Sequence, residues 1–127
     1  MSSEGDKKVA VVAGDGIGPE VVESALAVLR AAGTELSLVP LEIGLCLWKR
    51  TGEALADEDL ETIKECDCVL LGAITTPPDP NYRSVLLRLR KALDLYANIR
   101  PFQSQDLDFI IVRENTEGLY SGLEEVG

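Results

Sequence analysis

Residues 8–13 read as a short strand, apolar without interruption from Val9 to Ala13, that ends in Gly14-Asp15-Gly16-Ile17-Gly18-Pro19-Glu20, after which the apolar spacing becomes helical. This strand, turn and helix constrain the fold more than any other feature, because a strand without polar alternation needs cover on both faces. Pro19 suits the first turn of a helix, where its missing N–H has no intrahelical partner to lose. Val22, Ala25, Leu26, Val28 and Leu29 recur at helical spacing, and Gly33 stands where the residue just past a helix end is expected.

The same alternation continues along the chain. Residues 36–41 read as a second strand, 43–50 as a helix, 56–65 as another helix with Asp57 near its N-cap, and 68–73 as a third strand. Residues 84–93 return to helix, and 96–102 and 109–112 read as strands separated by the short connection Gln103-Ser104-Gln105-Asp106. Strands alternating with helices predict an α/β layered fold with a largely parallel sheet. Thr75-Thr76-Pro77-Pro78-Asp79-Pro80-Asn81 is a loop by composition, just past the carboxyl end of the third strand. In open α/β sheets ligands bind at that end.

Composition narrows the function classes. With 127 residues and 46% hydrophobic content the chain can bury one core. Its apolar runs fall far short of the roughly 20 residues of a membrane span, and the N-terminal residues are polar, so neither a membrane segment nor a signal peptide is expected. A formal charge of −10 argues against a nucleic-acid partner, which clustered Lys and Arg would serve. Cys46, Cys66 and Cys68 cannot all pair within one chain, and Cys66-Asp67-Cys68 lacks a second ligand cluster. The expectation is reduced, buried thiols in a cytoplasmic protein, with metal binding as the alternative. The chain has no histidine, so proton chemistry falls to Tyr, Lys or carboxylates.

In so acidic a chain, Arg88, Arg90, Arg100 and Arg113 fall in one stretch and mostly at element ends. Arginine grips a carboxylate through two parallel N–H bonds, a geometry lysine cannot copy. Convergent arginines would suit a small di- or tricarboxylate; surface ion pairs with nearby Asp and Glu are the alternative. Gly14-x-Gly16-x-Gly18, followed by Pro19, does not match the G-x-G-x-x-G dinucleotide fingerprint.

Three segments, in order, carry a family resemblance: Gly14-Asp15-Gly16-Ile17-Gly18-Pro19-Glu20; Leu89-Arg90-Lys91 leading into Asp94-Leu95-Tyr96-Ala97-Asn98-Ile99-Arg100-Pro101; and Val112-Arg113-Glu114-Asn115-Thr116-Glu117-Gly118-Leu119-Tyr120. Over residues 8–125 the chain resembles the N-terminal part of the β-decarboxylating hydroxyacid dehydrogenases, the isopropylmalate/isocitrate/homoisocitrate family. The resemblance implies that residues 1–101 belong to a large α/β domain and 102–127 begin a second, smaller one. It implies that Arg90, Arg100 and Arg113 hold the malate-like carboxylates of the substrate and that Tyr120 assists proton transfer. Ile17, Thr75 and Thr76 match positions near the nicotinamide dinucleotide, with NAD expected and NADP the alternative. Ser84, Leu86 and Leu87 match the positions that meet the variable substituent of the substrate.

Paired leucines favour an alkyl group over a carboxylate that would lose its hydration, so isopropylmalate is the first expectation. Ser84 and the nearby Arg83 and Arg88 keep isocitrate and homoisocitrate open. The resemblance further implies Mg²⁺ or Mn²⁺ with ligands outside this sequence, a homodimer or larger homo-oligomer with shared active sites, and apolar surface on a lone piece of this length. A noncatalytic fragment or interaction module is the reading of a different class.

Overall fold

The computed structural model describes residues 6–123, so the polar residues 1–5 and the last positions of the family resemblance, 124–125, lie outside the described residues. The chain divides into two compact units between Val85 and Leu86.

The first unit holds β1 (Lys7–Gly14), α1 (Gly18–Ala31), β2 (Leu36–Leu41), α2 (Leu45–Thr51), α3 (Asp57–Lys64) and β3 (Cys68–Ala73). The strands form a parallel sheet in the order β2-β1-β3, as the alternation of strands and helices predicts. Being central, β1 supplies the core, with Val9, Ala10, Val11 and Val12 all buried. Val9 and Val11 pack with Val22 of α1, joined by the half-buried Leu26, Leu36, Leu38 and Leu70. Successive strand residues face opposite sides, so Ala10 and Val12 must be covered from the other face, which explains why the run has no polar break. Gly18 is required at the start of α1, because a Cβ there would overlap the carbonyl oxygen of Ala13. The helix ends in a left-handed Gly33, whose N–H donates to the Arg30 carbonyl at 3.0 Å while Thr34 N–H reaches the Leu29 carbonyl at 3.3 Å.

Several boundaries differ from expectation. Helix α2 begins at Leu45 rather than at residue 43, because Gly44 breaks the helix with φ 126°. Asp57 stands near the N-cap of α3 as expected, as its first helical residue, and the N-cap itself is Ala56. The acidic first turn Asp57, Glu58, Asp59 favours that end electrostatically. The cysteines are free as expected but not buried: Cys46 and Cys68 are exposed and Cys66 is half-buried. Cys46 lies beside the buried Leu47 on a short helix, and Cys68 opens β3 at the edge of the sheet, so neither position is enclosed.

Helix α4 (Val85–Ala92), which belongs to the second unit from Leu86 on, leads to the antiparallel pair β4 (Ala97–Gln103) and β5 (Asp108–Glu114) and a 3₁₀ turn over Gly118–Tyr120. The boundary expected at 101/102 falls within β4. The connection is a tight hairpin in which Ser104 N–H donates to the Leu107 carbonyl at 2.8 Å. Its apolar residues lie open on both faces: Ile99, Phe102, Phe109, Ile110, Ile111 and Val112 are between 42% and 66% exposed. Among the described residues, no helix is long and apolar enough to cross a membrane.

Candidate functional site

The second unit gathers an arginine-tyrosine cluster. Arg90 is carried by the last turn of α4, which closes on Asp94 in the left-handed region at φ 51°. Leu95 N–H donates to the Arg90 carbonyl at 2.8 Å and Asp94 N–H to the Lys91 carbonyl at 3.3 Å, so the backbone of that turn is fixed. Arg113 lies near the end of β5, opposite Asn98 in the hairpin register. Both guanidinium groups lie over the ring of Tyr120, Arg113 at 4.8 Å and Arg90 at 5.9 Å from its centroid. Each cation is attracted to the π-face, while the two together make a local positive potential in a chain of charge −10.

Two neighbours hold this cluster in shape. Asn115 is buried; its side-chain amide donates to the Leu95 carbonyl at 2.8 Å, and its Oδ1 accepts from Arg113 Nη2 at 3.1 Å. Glu114 Oε1 accepts the N–H groups of Thr116 and Glu117, each at 2.7 Å, shaping the turn that leads to Tyr120. The Thr116 N–H, followed by that of Glu117, holds the Glu114 carboxyl below its ordinary pKa. Asn115 and Glu114 stand in the motif around Arg113, but nothing in a linear sequence says that Asn115 reaches back twenty residues to Leu95.

Arg90, Arg100 and Arg113 meet no carboxylate among the described residues. Arg113 Nε is buried without a hydrogen-bond partner, a donor left over for an acceptor. Arg100 lies opposite Ile111, two pairs along from Asn98 and Arg113, so the alternation puts Arg100 and Arg113 on one face of the hairpin. Its Nε donates to Asn98 Oδ1 at 2.9 Å, and its guanidinium is not part of the ring cluster. On α4 the buried positions are Val85 and Leu89, one helical turn apart, while Leu86 and Leu87 are half-buried. Ser84, directly before α4, is also half-buried.

Ile17, Thr75 and Thr76 belong to the first unit, at the carboxyl edge of the parallel sheet. Ile17 caps α1 with its side chain 62% exposed, and both threonines are exposed. Asp15, not singled out from the sequence, is 5% exposed and organises this edge. Its Oδ1 accepts the Leu45 N–H at 2.7 Å and its Oδ2 the Thr75 N–H at 3.0 Å. A groove of about 470 Å³ lined by Val9, Leu36, Leu38 and Leu70 opens at the opposite, amino end, away from these residues.

The exposed threonines and the ordered turn at Ile17 offer groups that a nicotinamide dinucleotide would meet. A metal is different. Among the described residues no group of three or more His, Cys, Asp or Glu side chains is arranged to hold one.

The sequence profile described as isocitrate/isopropylmalate dehydrogenase matches residues 8–127. The chain belongs to this family. It is 49% identical over 118 residues to the isocitrate/homoisocitrate dehydrogenase of Pyrococcus horikoshii, covering 91% of this chain and 34% of that protein. It is 47% identical over 126 residues to the 3-isopropylmalate/3-methylmalate dehydrogenase of Methanocaldococcus jannaschii, covering 92% and 36% respectively. The crystal structure of isocitrate dehydrogenase from Methylococcus capsulatus superposes with a TM-score of 0.83 at 38% identity, covering 92% of this chain and 37% of the other. The chain therefore spans about a third of the length of these dehydrogenases, and its α/β fold with a parallel sheet is the fold of that part of the family.

Proposed function

We propose that this chain is the N-terminal portion of a β-decarboxylating dehydrogenase that converts a 3-substituted malate, 3-isopropylmalate first, to a 2-oxo acid and CO₂. The observation that carries this reading is the pair of guanidiniums, Arg90 and Arg113, that have no carboxylate partner among the described residues and share the ring of Tyr120. Arginine in such a pair binds carboxylate bidentately, and the unpartnered Nε of Arg113 supplies a further donor. Arg100, on the same hairpin face as Arg113, is the third carboxylate ligand in this reading.

Tyr120 is placed in it as the proton donor. Loss of the β-carboxylate leaves an enolate, and a phenol beside the arginines that hold the remaining carboxylates can protonate its carbon. Bound NAD, met by Ile17, Thr75 and Thr76, supplies the hydride acceptor for the preceding oxidation; NADP is the alternative. The divalent cation, Mg²⁺ or Mn²⁺, would take its ligands from outside these residues, since the described ones form no such cluster. The working protein is a homodimer or larger homo-oligomer in this reading.

The choice of 3-isopropylmalate rests on Leu86 and Leu87, half-buried where Val85 and Leu89 already serve as the buried face of α4, and on the frequency of that name among the relatives. Isocitrate or homoisocitrate is the second reading, favoured by the half-buried Ser84 and by the name of the Pyrococcus relative. Steady-state rates of the full-length protein with the three acids, each with NAD and NADP, decide between them. A purified protein with an intact mass of 13.7 kDa that turns over none of them would favour a noncatalytic module instead.

A further inference from the structure

Asp15 is the one buried acidic side chain among the described residues, and its bonds leave the element that carries it. A buried carboxylate is tolerated only when hydrogen-bonded, and here both oxygens are used on backbone N–H groups of two other segments: Leu45 at the start of α2 and Thr75 past the end of β3. The backbone of Asp15 adds two more ties, its N–H donating to the Ala73 carbonyl at 2.7 Å and its carbonyl accepting the Gly18 N–H at 2.8 Å. One residue thus joins the turn after β1, the start of α2 and the loop after β3. Gly44 makes room for it: a Cβ there would come within 2.7 Å of both carboxylate oxygens. Ile17, Thr75 and Thr76 present little buried side-chain surface of their own, so polar ties rather than packing fix this edge.

We propose that Asp15 is a positioning residue for the nicotinamide end of the dinucleotide: standing in the turn before α1 and holding the Thr75 N–H with its side chain, it sets how Thr75, Thr76 and Ile17 face the cofactor. The inference rests on the reading of those three residues as cofactor contacts. Asp15→Asn keeps the shape of the side chain but must turn an NH₂ toward one of the two N–H donors, so one bond is lost. Gly44→Ala displaces the same carboxylate from the other side.

The test is equilibrium binding of NAD and of ADP-ribose to the full-length protein. ADP-ribose keeps the adenosine and pyrophosphate and lacks the nicotinamide. Asp15→Asn is expected to weaken NAD roughly tenfold, the scale of one charge-assisted hydrogen bond, while ADP-ribose stays within about twofold. Gly44→Ala should show the same selective loss, and it decides the matter if Asp15→Asn does not fold. Equal losses for both ligands would mean that Asp15 only maintains the framework, and unchanged binding of both would remove it from the site; either result overturns the proposal. If the unsubstituted protein binds NAD no better than ADP-ribose, the assignment of Thr75, Thr76 and Ile17 fails first, and the positioning role goes with it.

Discussion

The two units treat similar apolar sequences in opposite ways. In the first unit the run on β1 is flanked by a strand on each side and covered on its faces, so that Ala10 and Val12 have no accessible surface. In the second unit the equally apolar Phe109, Ile110, Ile111 and Val112 lie in a two-stranded ribbon with both faces exposed. A two-stranded hairpin has too little packing surface to enclose its own side chains, whereas a central parallel strand with crossover helices encloses them by construction. Composition of a segment therefore states a demand for burial, and the number of neighbouring layers decides whether these residues meet it.

The contrast can be broken most directly at its two extremes. Leu55, fully buried in the first unit, should cost about 2–5 kcal/mol when replaced by alanine, and Ile110→Ser on the hairpin under about 0.5 kcal/mol, as read by chemical denaturation of the 127-residue chain. Comparable losses at the two positions would mean that the hairpin is enclosed in the folded chain. In the full-length protein, Arg113→Lys should keep the charge and lose the planar fork that bonds Asn115 and lies over Tyr120. Its kcat/KM should fall by about 10- to 100-fold, with little change in melting temperature. Unchanged kinetics would take Arg113 out of the pocket.

A smaller effect is expected where α4 ends. Asp94 occupies the left-handed region, which glycine adopts without a Cβ penalty, so Asp94→Gly should stabilise the second unit by up to about 1 kcal/mol. A clear loss of stability in a thermal melt would show that the Asp94 side chain itself holds the turn. The smallest effect concerns acid. Glu114 has a folded-state pKa below the unfolded value, so its contribution is present above the ordinary carboxylate range and fades as pH falls through the lowered value. Glu114→Gln should therefore flatten the acid side of the stability curve slightly. Asp67, held low first by the Lys8 N–H, does the same for the first unit and should remain unaffected. A steeper acid limb in the Glu114 variant would contradict the sign of this linkage.

Much of the fold was legible. The strand-turn-helix at residues 8–33, the strands at 36–41 and 68–73 and the loop at 75–81 follow from local pattern, because period and turn chemistry are local properties. The α2 boundary was less so: Gly44 interrupts the helix at an unusual φ and lacks the Cβ that would meet Asp15, a residue 29 positions earlier. The thiols were misjudged because hydrophobic character does not say which positions near a sheet edge are covered.

The candidate site divides along the same line. Its residue types and their order, the arginines and the tyrosine in an acidic chain without histidine, are properties of the sequence alone, since chemistry resides in side chains. Which arginines share the Tyr120 ring, that Asn115 anchors one of them to the Leu95 carbonyl, and that a carboxylate inside the glycine turn binds two distant backbone N–H groups were decided by tertiary structure. Hydrogen bonds and cation–π contacts act over a few ångströms of space, and only folding brings residues twenty to sixty positions apart within that range.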